Sequence, residues 1–269
     1  MTNPKGPTIG VFDSGFGGLT VLRALLPLVP GAHYIYLGDT ARLPYGSKSR
    51  ATIARYAVES ALYLESKGAE MLVVACNTAT ALALDEIKAA TSIPVAGVID
   101  PVVRAAQQRH PGATVLVLAT SATVQSHAYL QHCRDCGLEA IEKACPLLVP
   151  LVEEGWTGHA VTREVLRIYL SEALEVCSPQ AVLLGCTHYP LIAPAIAAVL
   201  RELGSSAEVI DSAEATALAV TQPFSVESAS TMPATFECFA TDSVEKFARL
   251  GSHFLGQPIP QVELLDLGG

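Results

Sequence analysis

Two cysteines that follow apolar runs are the residues of this chain best placed to do chemistry. Cys76 lies in LVVACNTAT (72–80), and Cys186 lies in VLLGCTHYP (182–190). In each segment, polar residues and then a helical pattern come directly after the cysteine. The pattern predicts that each thiol lies at the carboxyl end of a parallel strand, where open α/β sheets bind ligands.

A pair of thiols on opposite faces of one carbon acid could invert its configuration. Each sulfur would lie roughly 3–3.5 Å from that carbon, so the sulfurs would be on the order of 7 Å apart, too far for a disulfide. One thiolate removes a proton while the opposite thiol delivers one. We expect the N-terminus of the helix after each cysteine, together with a charged partner, to lower the thiol pKa by about two units. A packing role is the alternative for either cysteine alone.

Two more polar segments follow predicted strands. The first strand is followed by DSGFGG (13–18), whose glycines allow a tight turn close to a ligand and whose amides could bind a carboxylate. The segment departs from the dinucleotide fingerprint, which disfavours a nucleotide. Asp13 is interpreted as an acid/base group or an ammonium partner, with helix capping as the alternative. The second strand is followed by GDTARLPYGSKS (38–49), either a turn with exposed backbone or an ordinary strand–helix loop.

Composition excludes several classes of protein. The chain has 269 residues and a net charge of −9, with scattered Lys and Arg, so we expect no nucleic-acid partner. No apolar stretch reaches the roughly 20 residues that span a bilayer, and the N-terminus lacks a signal-peptide pattern. We therefore expect a cytoplasmic protein that does not bind membranes.

The remaining cysteines and the lysines suggest no cofactor. Seven cysteines in an intracellular chain favour reduced thiols over a disulfide framework. Cys133 and Cys136 form a lone CxxC, which without a second pair does not indicate a metal site. Cys145, Cys177 and Cys238 are interpreted as packing residues. No lysine lies in a setting typical of a Schiff base, so a pyridoxal cofactor is not indicated.

Strand and helix patterns alternate along the chain. Helical spacing of apolar residues predicts helices at 49–66, 80–90, 101–109, 162–176 and 190–203. Short β-branched runs predict strands at 8–12, 33–37, 71–75, 94–99, 113–119, 181–185 and 207–210. This alternation predicts an α/β fold with mainly parallel sheets covered by helices on both faces.

A weak internal repeat predicts two similar lobes. Four motif pairs recur in the same order with an offset of about 106 to 111 residues, among them the two cysteine segments. We expect residues 1–98 plus 210–269 to form one α/β lobe and residues 99–209 the other. Related by a pseudo-twofold axis, the lobes would enclose the active site between them, with Cys76 facing Cys186. Residues 221–234 are predicted to be a surface loop.

With these residues assembled, the chain resembles the cofactor-independent aspartate/glutamate racemase family. The resemblance extends from about residue 9 to residue 217. It is carried by GVFDSGFGGLTV (10–21), YLGDTARLPYGSKS (36–49), VVACNTATA (73–81), CPLLVPLVEEG (145–155), LLGCTHYPL (183–191) and VIDSAEATA (209–217).

The resemblance implies a function and a set of site residues. Cys76 and Cys186 would be the catalytic thiols, Asp13 and His188 would assist them, and Glu153 would lie near the second thiol. The implied substrate contacts are Asp13, Ser14, Tyr45, Gly46, Asn77, Thr78, Thr120, Ser121, Thr187 and His188. His188 favours glutamate, because aspartate racemases typically carry Glu there.

The implied reaction interconverts L- and D-glutamate without a cofactor and supplies D-glutamate for peptidoglycan, and a homodimer is expected. The alternatives are an aspartate racemase, a related isomerase or decarboxylase, or a non-catalytic protein that binds an acid or a partner.

Overall fold

Ten strands alternate with eleven α-helices in the computed structural model, which describes residues 6–222 and 232–267. The strands are β1 (Thr8–Asp13), β2 (His33–Gly38), β3 (Met71–Val74), β4 (Val95–Gly97), β5 (Thr114–Ala119), β6 (Glu139–Ala144), β7 (Ala181–Gly185), β8 (Glu208–Asp211), β9 (Thr235–Ala240) and β10 (Val262–Leu264). The α-helices are α1 (Leu19–Leu25), α2 (Arg50–Ser66), α3 (Asn77–Ala90), α4 (Ile99–Arg109), α5 (Ser121–Ser126), α6 (Ala128–Asp135), α7 (Leu148–Glu153), α8 (Ala160–Leu174), α9 (Ala193–Glu202), α10 (Ser212–Thr221) and α11 (Val244–Leu255). Short 3₁₀ turns occupy Thr40–Arg42, Tyr45–Ser47 and Tyr189–Ile192.

The strands form two parallel sheets. The first has the order β10-β9-β2-β1-β3-β4, and the second has the order β6-β5-β7-β8. Every strand pairing in the described residues is parallel. The order β2-β1-β3-β4 in the first sheet is the same as β6-β5-β7-β8 in the second, as the sequence repeat requires. The predicted α/β class with two mainly parallel sheets flanked by helices is confirmed.

One hydrophobic core is shared by the two sheets. Alternate residues of a strand face opposite sides of its sheet, so Val11 of β1 and Leu116 of β5 both enter the shared core, while Phe12 and Val115 enter separate outer cores. The shared core also contains Val182 of β7. This common packing positions the carboxyl ends of the two sheets relative to each other.

Several elements differ from the sequence-based prediction. The strand predicted at 94–99 ends at Gly97 because α4 begins at Ile99, and the helix predicted from residue 80 begins at Asn77. Strands β6, β9 and β10 and helices α1, α5, α7, α10 and α11 were not predicted as elements, whereas α6 covers AYLQHCRD, where a helix is predicted. β6 (EAIEKA) is a half-exposed edge strand, so it lacks the apolar run typical of a buried one.

The predicted domain bounds remain a prediction. The last strand of the second sheet, β8, runs to Asp211, two residues past the predicted boundary. Residues 223–231 of the predicted surface loop lie outside the described residues. Among the helices that the structure describes, none is both long and apolar enough to cross a bilayer.

Candidate active site

A cavity of about 270 Å³ lies at the carboxyl ends of both sheets. The segments after β1, β2 and β3 of the first sheet and after β5, β6 and β7 of the second line it. Its lining residues are Ser14, Leu43, Pro44, Tyr45, Gly46, Cys76, Asn77, Thr78, Thr120, Ser121, Pro146, Val149, Pro150, Glu153, Cys186, Thr187 and His188. Every site residue predicted from the sequence is among them except Asp13. The structure therefore brings both thiols to one small cavity, one from each sheet.

Cys76 is both a cavity residue and the N-cap of α3. Its sulfur accepts a hydrogen bond from the Ala79 amide at 3.4 Å and donates one to Ser14 Oγ at 3.5 Å. Burial, reinforced by the nearby Asp13 carboxylate, nevertheless raises the pKa of this thiol to about 12. The expected lowering by the helix N-terminus is therefore wrong for Cys76, because loss of hydration outweighs two weak hydrogen bonds to sulfur.

Cys186 has a different environment, although its motif resembles that of Cys76. A 3₁₀ turn (Tyr189–Ile192) follows it and α9 begins only at Ala193, so no α-helix starts at this thiol. Its sulfur lies 3.8 Å from Nδ1 of His188 instead. The helix predicted over 190–203 thus begins too late to act on Cys186 as we expected.

His188 links Cys186 to Glu153. Its Nε2 lies 3.2 Å from Glu153 Oε1 on α7. Burial alone would lower the pKa of His188, but hydrogen bonds to Cys186 and Glu153 outweigh burial and raise the pKa to about 10. The imidazole is consequently protonated at neutral pH and donates from Nε2 to the carboxylate and from Nδ1 toward the sulfur. A proton is therefore held within hydrogen-bond reach of Cys186.

Asp13 lies outside the cavity lining, with a side chain that is 1% exposed. Its Oδ2 accepts a hydrogen bond from the Gly15 amide at 2.8 Å. Burial raises its pKa, and the charge of nearby His188 partly opposes that rise. DSGFGG turns this carboxylate away from the cavity lining, and the predicted contact between Asp13 and a substrate stays a prediction. It lies close enough to act electrostatically on both Cys76 and His188.

A glycine of the same turn allows two segments of the protein to come into close contact. A Cβ on Gly17 would lie 2.3 Å from Thr187 Oγ1 and 2.6 Å from His188 Cε1, far inside ordinary contact distance. Gly17 does not line the cavity. Gly17 thus allows the segment after β1 to touch the segment after β7, and the predicted close approach of this turn to a ligand stays a prediction.

The turn containing Tyr45 and Gly46 is held by the buried carboxylate of Asp39. Tyr45 donates its hydroxyl to Asp39 Oδ2 at 2.6 Å, and Thr241 donates to Asp39 Oδ1 at 2.9 Å. Because the phenol is already bonded, the Tyr45–Gly46 backbone remains the group that can contact a ligand here.

Hydrogen bonds between segments of the two sheets surround the cavity. The hydroxyls of Thr78, Thr120 and Thr123 lie within 2.9 to 3.2 Å of one another, which joins the start of α3 to α5. Thr20 of α1 donates to the Thr187 carbonyl at 3.0 Å. Sequence reasoning assigned no role to Thr123 or Thr20, although Thr20 lies in the quoted segment GVFDSGFGGLTV (10–21).

The five cysteines outside the cavity belong to no metal-binding cluster in the described residues. All seven cysteines are free, and Cys133 and Cys145 are buried. In residues 6–222 and 232–267, no group of three or more His, Cys, Asp or Glu side chains could hold a metal ion.

Comparison with known proteins defines the class. The chain belongs to the Asp/Glu/hydantoin racemase family, whose model matches residues 9–220. It is 50% identical to the glutamate racemase of Koribacter versatilis (strain Ellin345), over 98% of each chain.

Two crystal structures of glutamate racemases are also similar. The Thermus thermophilus enzyme in complex with β-chloro-D-alanine has a TM-score of 0.86 and 41% identity, with 99% of each chain covered. The Francisella tularensis subsp. tularensis SCHU S4 enzyme in complex with D-glutamate has a TM-score of 0.87 and 34% identity, covering 98% of this chain and 99% of that one. The predicted family and enzyme class, an amino-acid racemase, are confirmed.

Proposed function

We propose that this protein interconverts L- and D-glutamate by cofactor-independent proton transfer between two cysteines. The observation that carries the proposal is that Cys76 and Cys186, from different sheets, line one small cavity. The relatives named above are glutamate racemases, and one of them binds D-glutamate. A second candidate function has no comparable support.

The cavity is suited to a small amino acid. Its volume of about 270 Å³ is slightly below the roughly 300–1,000 Å³ typical of pockets for larger ligands. None of its lining residues is Lys or Arg, so carboxylates would be bound by neutral donors such as Asn77 and Thr187. The N-terminus of α3 adds backbone amides that favour an anion. The substrate ammonium would find acidic partners in Glu153 and, behind the lining, Asp13.

Cys76 needs the substrate in order to act as a base. At pH 8, a thiol with a pKa of about 12 is ionised in roughly one molecule in ten thousand. A positive charge within about 4–6 Å favours the thiolate, so the ammonium of a bound amino acid lowers this cost. The thiolate then takes the Cα proton and becomes a thiol, and the electron pair is delocalised into the neighbouring carboxylate.

Cys186 completes the inversion from the opposite face. Its S–H gives a proton to Cα, which leaves a thiolate next to the His188 imidazolium. The imidazolium Nδ1 can return a proton to that sulfur, while Glu153 keeps Nε2 oriented and stabilises the cation. The roles of the two cysteines exchange for the opposite enantiomer. After each turnover, proton exchange with water restores the starting protonation states of the cysteines and His188.

The test uses the purified chain in heavy water with L-glutamate and no added cofactor. Circular dichroism follows the loss of ellipticity as L-glutamate racemises, and NMR follows deuterium at Cα. We expect Cys76→Ala and Cys186→Ala each to lower racemisation by about 10²- to 10⁴-fold, the usual contribution of acid–base groups. Cys177→Ala is the matched control, because that thiol is outside the cavity. Near-normal turnover of either catalytic variant, or a flat signal from the unsubstituted protein, refutes the proposal. L-aspartate in the same assay tests substrate choice.

We further propose that the protein acts in the cytoplasm as a homodimer and that its D-glutamate supplies peptidoglycan synthesis. The family resemblance supports these assignments. A sedimentation mass near that of one chain would contradict the dimer. Growth of a strain depleted of this protein should depend on added D-glutamate, and growth without it would contradict the role in the cell wall.

A further inference from the structure

Tyr129 makes a buried hydrogen bond to a cavity residue without lining the cavity itself. It lies on α6, its side chain is 0% exposed, and its hydroxyl donates to Oδ1 of Asn77 at 2.7 Å. Asn77 is the first residue of α3 and lines the cavity. The bond therefore joins a helix of the second sheet's region to a candidate substrate-binding residue of the first.

The other end of the Asn77 amide is left without a partner. Nδ2 is buried and makes no hydrogen bond in the described part of the chain. Buried polar groups are nearly always paired, so such a donor requires an explanation. Because the amide is planar, Oδ1 and Nδ2 lie on opposite sides of its end. Fixing Oδ1 on the phenol fixes the direction of Nδ2 as well.

The phenol hydroxyl can donate a hydrogen bond at ordinary pH. Burial raises the pKa of Tyr129 well above its usual range, so the hydroxyl keeps its proton. A hydroxyl that donates along a 2.7 Å bond selects the oxygen of the amide over the nitrogen. The opposite orientation of Asn77 would turn a carbonyl oxygen where the N–H group now lies, and an oxygen there would repel a carboxylate.

We propose that Tyr129 is a positioning residue, whose hydroxyl holds the Asn77 amide so that Nδ2 donates to a carboxylate of the substrate. This inference rests on the proposed racemase function. Tyr129 itself does not touch the substrate and acts through Asn77. The cavity therefore depends on a residue of α6 that none of the motifs included.

A double-mutant cycle tests the inference. Tyr129→Phe removes only the hydroxyl, and we expect kcat/KM for L-glutamate to fall about tenfold, equivalent to about 1.4 kcal/mol. In the Asn77→Ala background, the same substitution should change kcat/KM by less than about twofold. The matched control is Tyr34→Phe, which removes another fully buried hydroxyl, bonded to the Leu25 carbonyl and outside the cavity lining. It should leave kcat/KM unchanged.

A second variant isolates the nitrogen of the amide. Asn77→Asp keeps an oxygen for Tyr129 and replaces the N–H donor by a second oxygen, so we expect it to lose at least as much kcat/KM as Asn77→Ala. The inference is overturned by a Tyr129→Phe variant within about twofold of the original, by an equal loss in both backgrounds, or by an active Asn77→Asp variant.

A measurement without substrate separates this inference from the proposed function. The midpoints of denaturation are measured for the original protein, Tyr129→Phe, Asn77→Ala and the double variant. They report the Tyr129–Asn77 bond whether or not the chain racemises glutamate. Non-additive shifts support the bond, and additive shifts exclude it. An inactive original protein with non-additive shifts would refute the racemase proposal and leave the bond in place. An active protein with additive shifts would refute only the role of Tyr129.

Discussion

Replacement of Gly17 by alanine tests whether direct contact between the two sheets' segments sets the geometry at Cys186. The new Cβ would lie 2.3 Å from Thr187 Oγ1 and 2.6 Å from His188 Nδ1. Since Cβ contacts under 3.0 Å are essentially never observed, the hydroxyl must retreat by about 0.7 Å and the imidazole by about 0.4 Å. Thr20, which bonds both the Gly17 and the Thr187 carbonyls, opposes a simple separation of the segments.

The displaced imidazole of His188 makes a contact with the Cys186 sulfur that is already long. Nδ1 of His188 is already 3.8 Å from the Cys186 sulfur, so a shift of several tenths of an ångström away from the sulfur would break their hydrogen bond. Misplacement of reacting groups by about 1 Å can cost about 100-fold in rate. We therefore expect Gly17→Ala to lower kcat/KM by about 10- to 100-fold. Overpacking should also destabilise the fold by about 1–3 kcal/mol.

The assay follows racemisation of L-glutamate by circular dichroism, with chemical denaturation measured on the same sample. Gly158→Ala is the control, because a Cβ there meets no atom within 4 Å. We expect that variant to match the original protein in both measurements. Activity of Gly17→Ala within about twofold of the original would refute the argument, as would a loss that merely follows the fraction unfolded.

Three further predictions concern groups around the cavity. Because the folded pKa of His188 is raised from 6.5 to about 10, its stabilising effect is full below about pH 6.5 and is lost as pH rises through 10. The denaturation midpoint of the original protein should therefore approach that of His188→Asn over this range, and a constant difference would contradict the raised pKa. The pKa of Cys76 is raised to about 12 and only thiolate reacts, so alkylation of Cys76 by iodoacetamide should accelerate about tenfold per pH unit from pH 7 to 9. Mass spectrometry follows the reaction, and a pH-independent rate would show a low pKa. Asp39→Asn weakens the bond that holds Tyr45 and should raise KM for glutamate several-fold; an unchanged KM would show that the turn holds itself.

Features that depend on strand order could be predicted from the sequence. Parallel strands place their carboxyl ends at one edge, so the residues after the apolar runs at 8–12, 33–37, 71–75, 113–119 and 181–185 had to gather there. That rule is enough to predict the position of Cys76, Cys186 and the polar residues that follow them. The repeat added the matching of the two halves, because β7 occupies in the second sheet the place of β3 in the first.

Features that depend on packing between segments could not be predicted. The pKa of Cys76 follows from how completely neighbouring segments exclude water, and local sequence carries no measure of that. The contact of Gly17 with His188 joins residues far apart in the chain. Tyr129 reaches Asn77 across 52 residues, and although Asn77 lies in VVACNTATA (73–81), no motif includes Tyr129. The edge strands β6 and β10 were missed because exposed edges lack the continuous apolar runs of central strands.

Stereospecific hydrogen exchange tests most directly whether Cys76 and Cys186 act on opposite faces of one carbon. Each enantiomer of glutamate is incubated in heavy water with Cys76→Ala or Cys186→Ala, and deuterium at Cα is measured by NMR. Each variant keeps one base, so it should label a single enantiomer without racemising it, and the two variants should label opposite enantiomers. Labelling of the same enantiomer by both variants, or racemisation by either at the original rate, would contradict the opposed arrangement of the thiols.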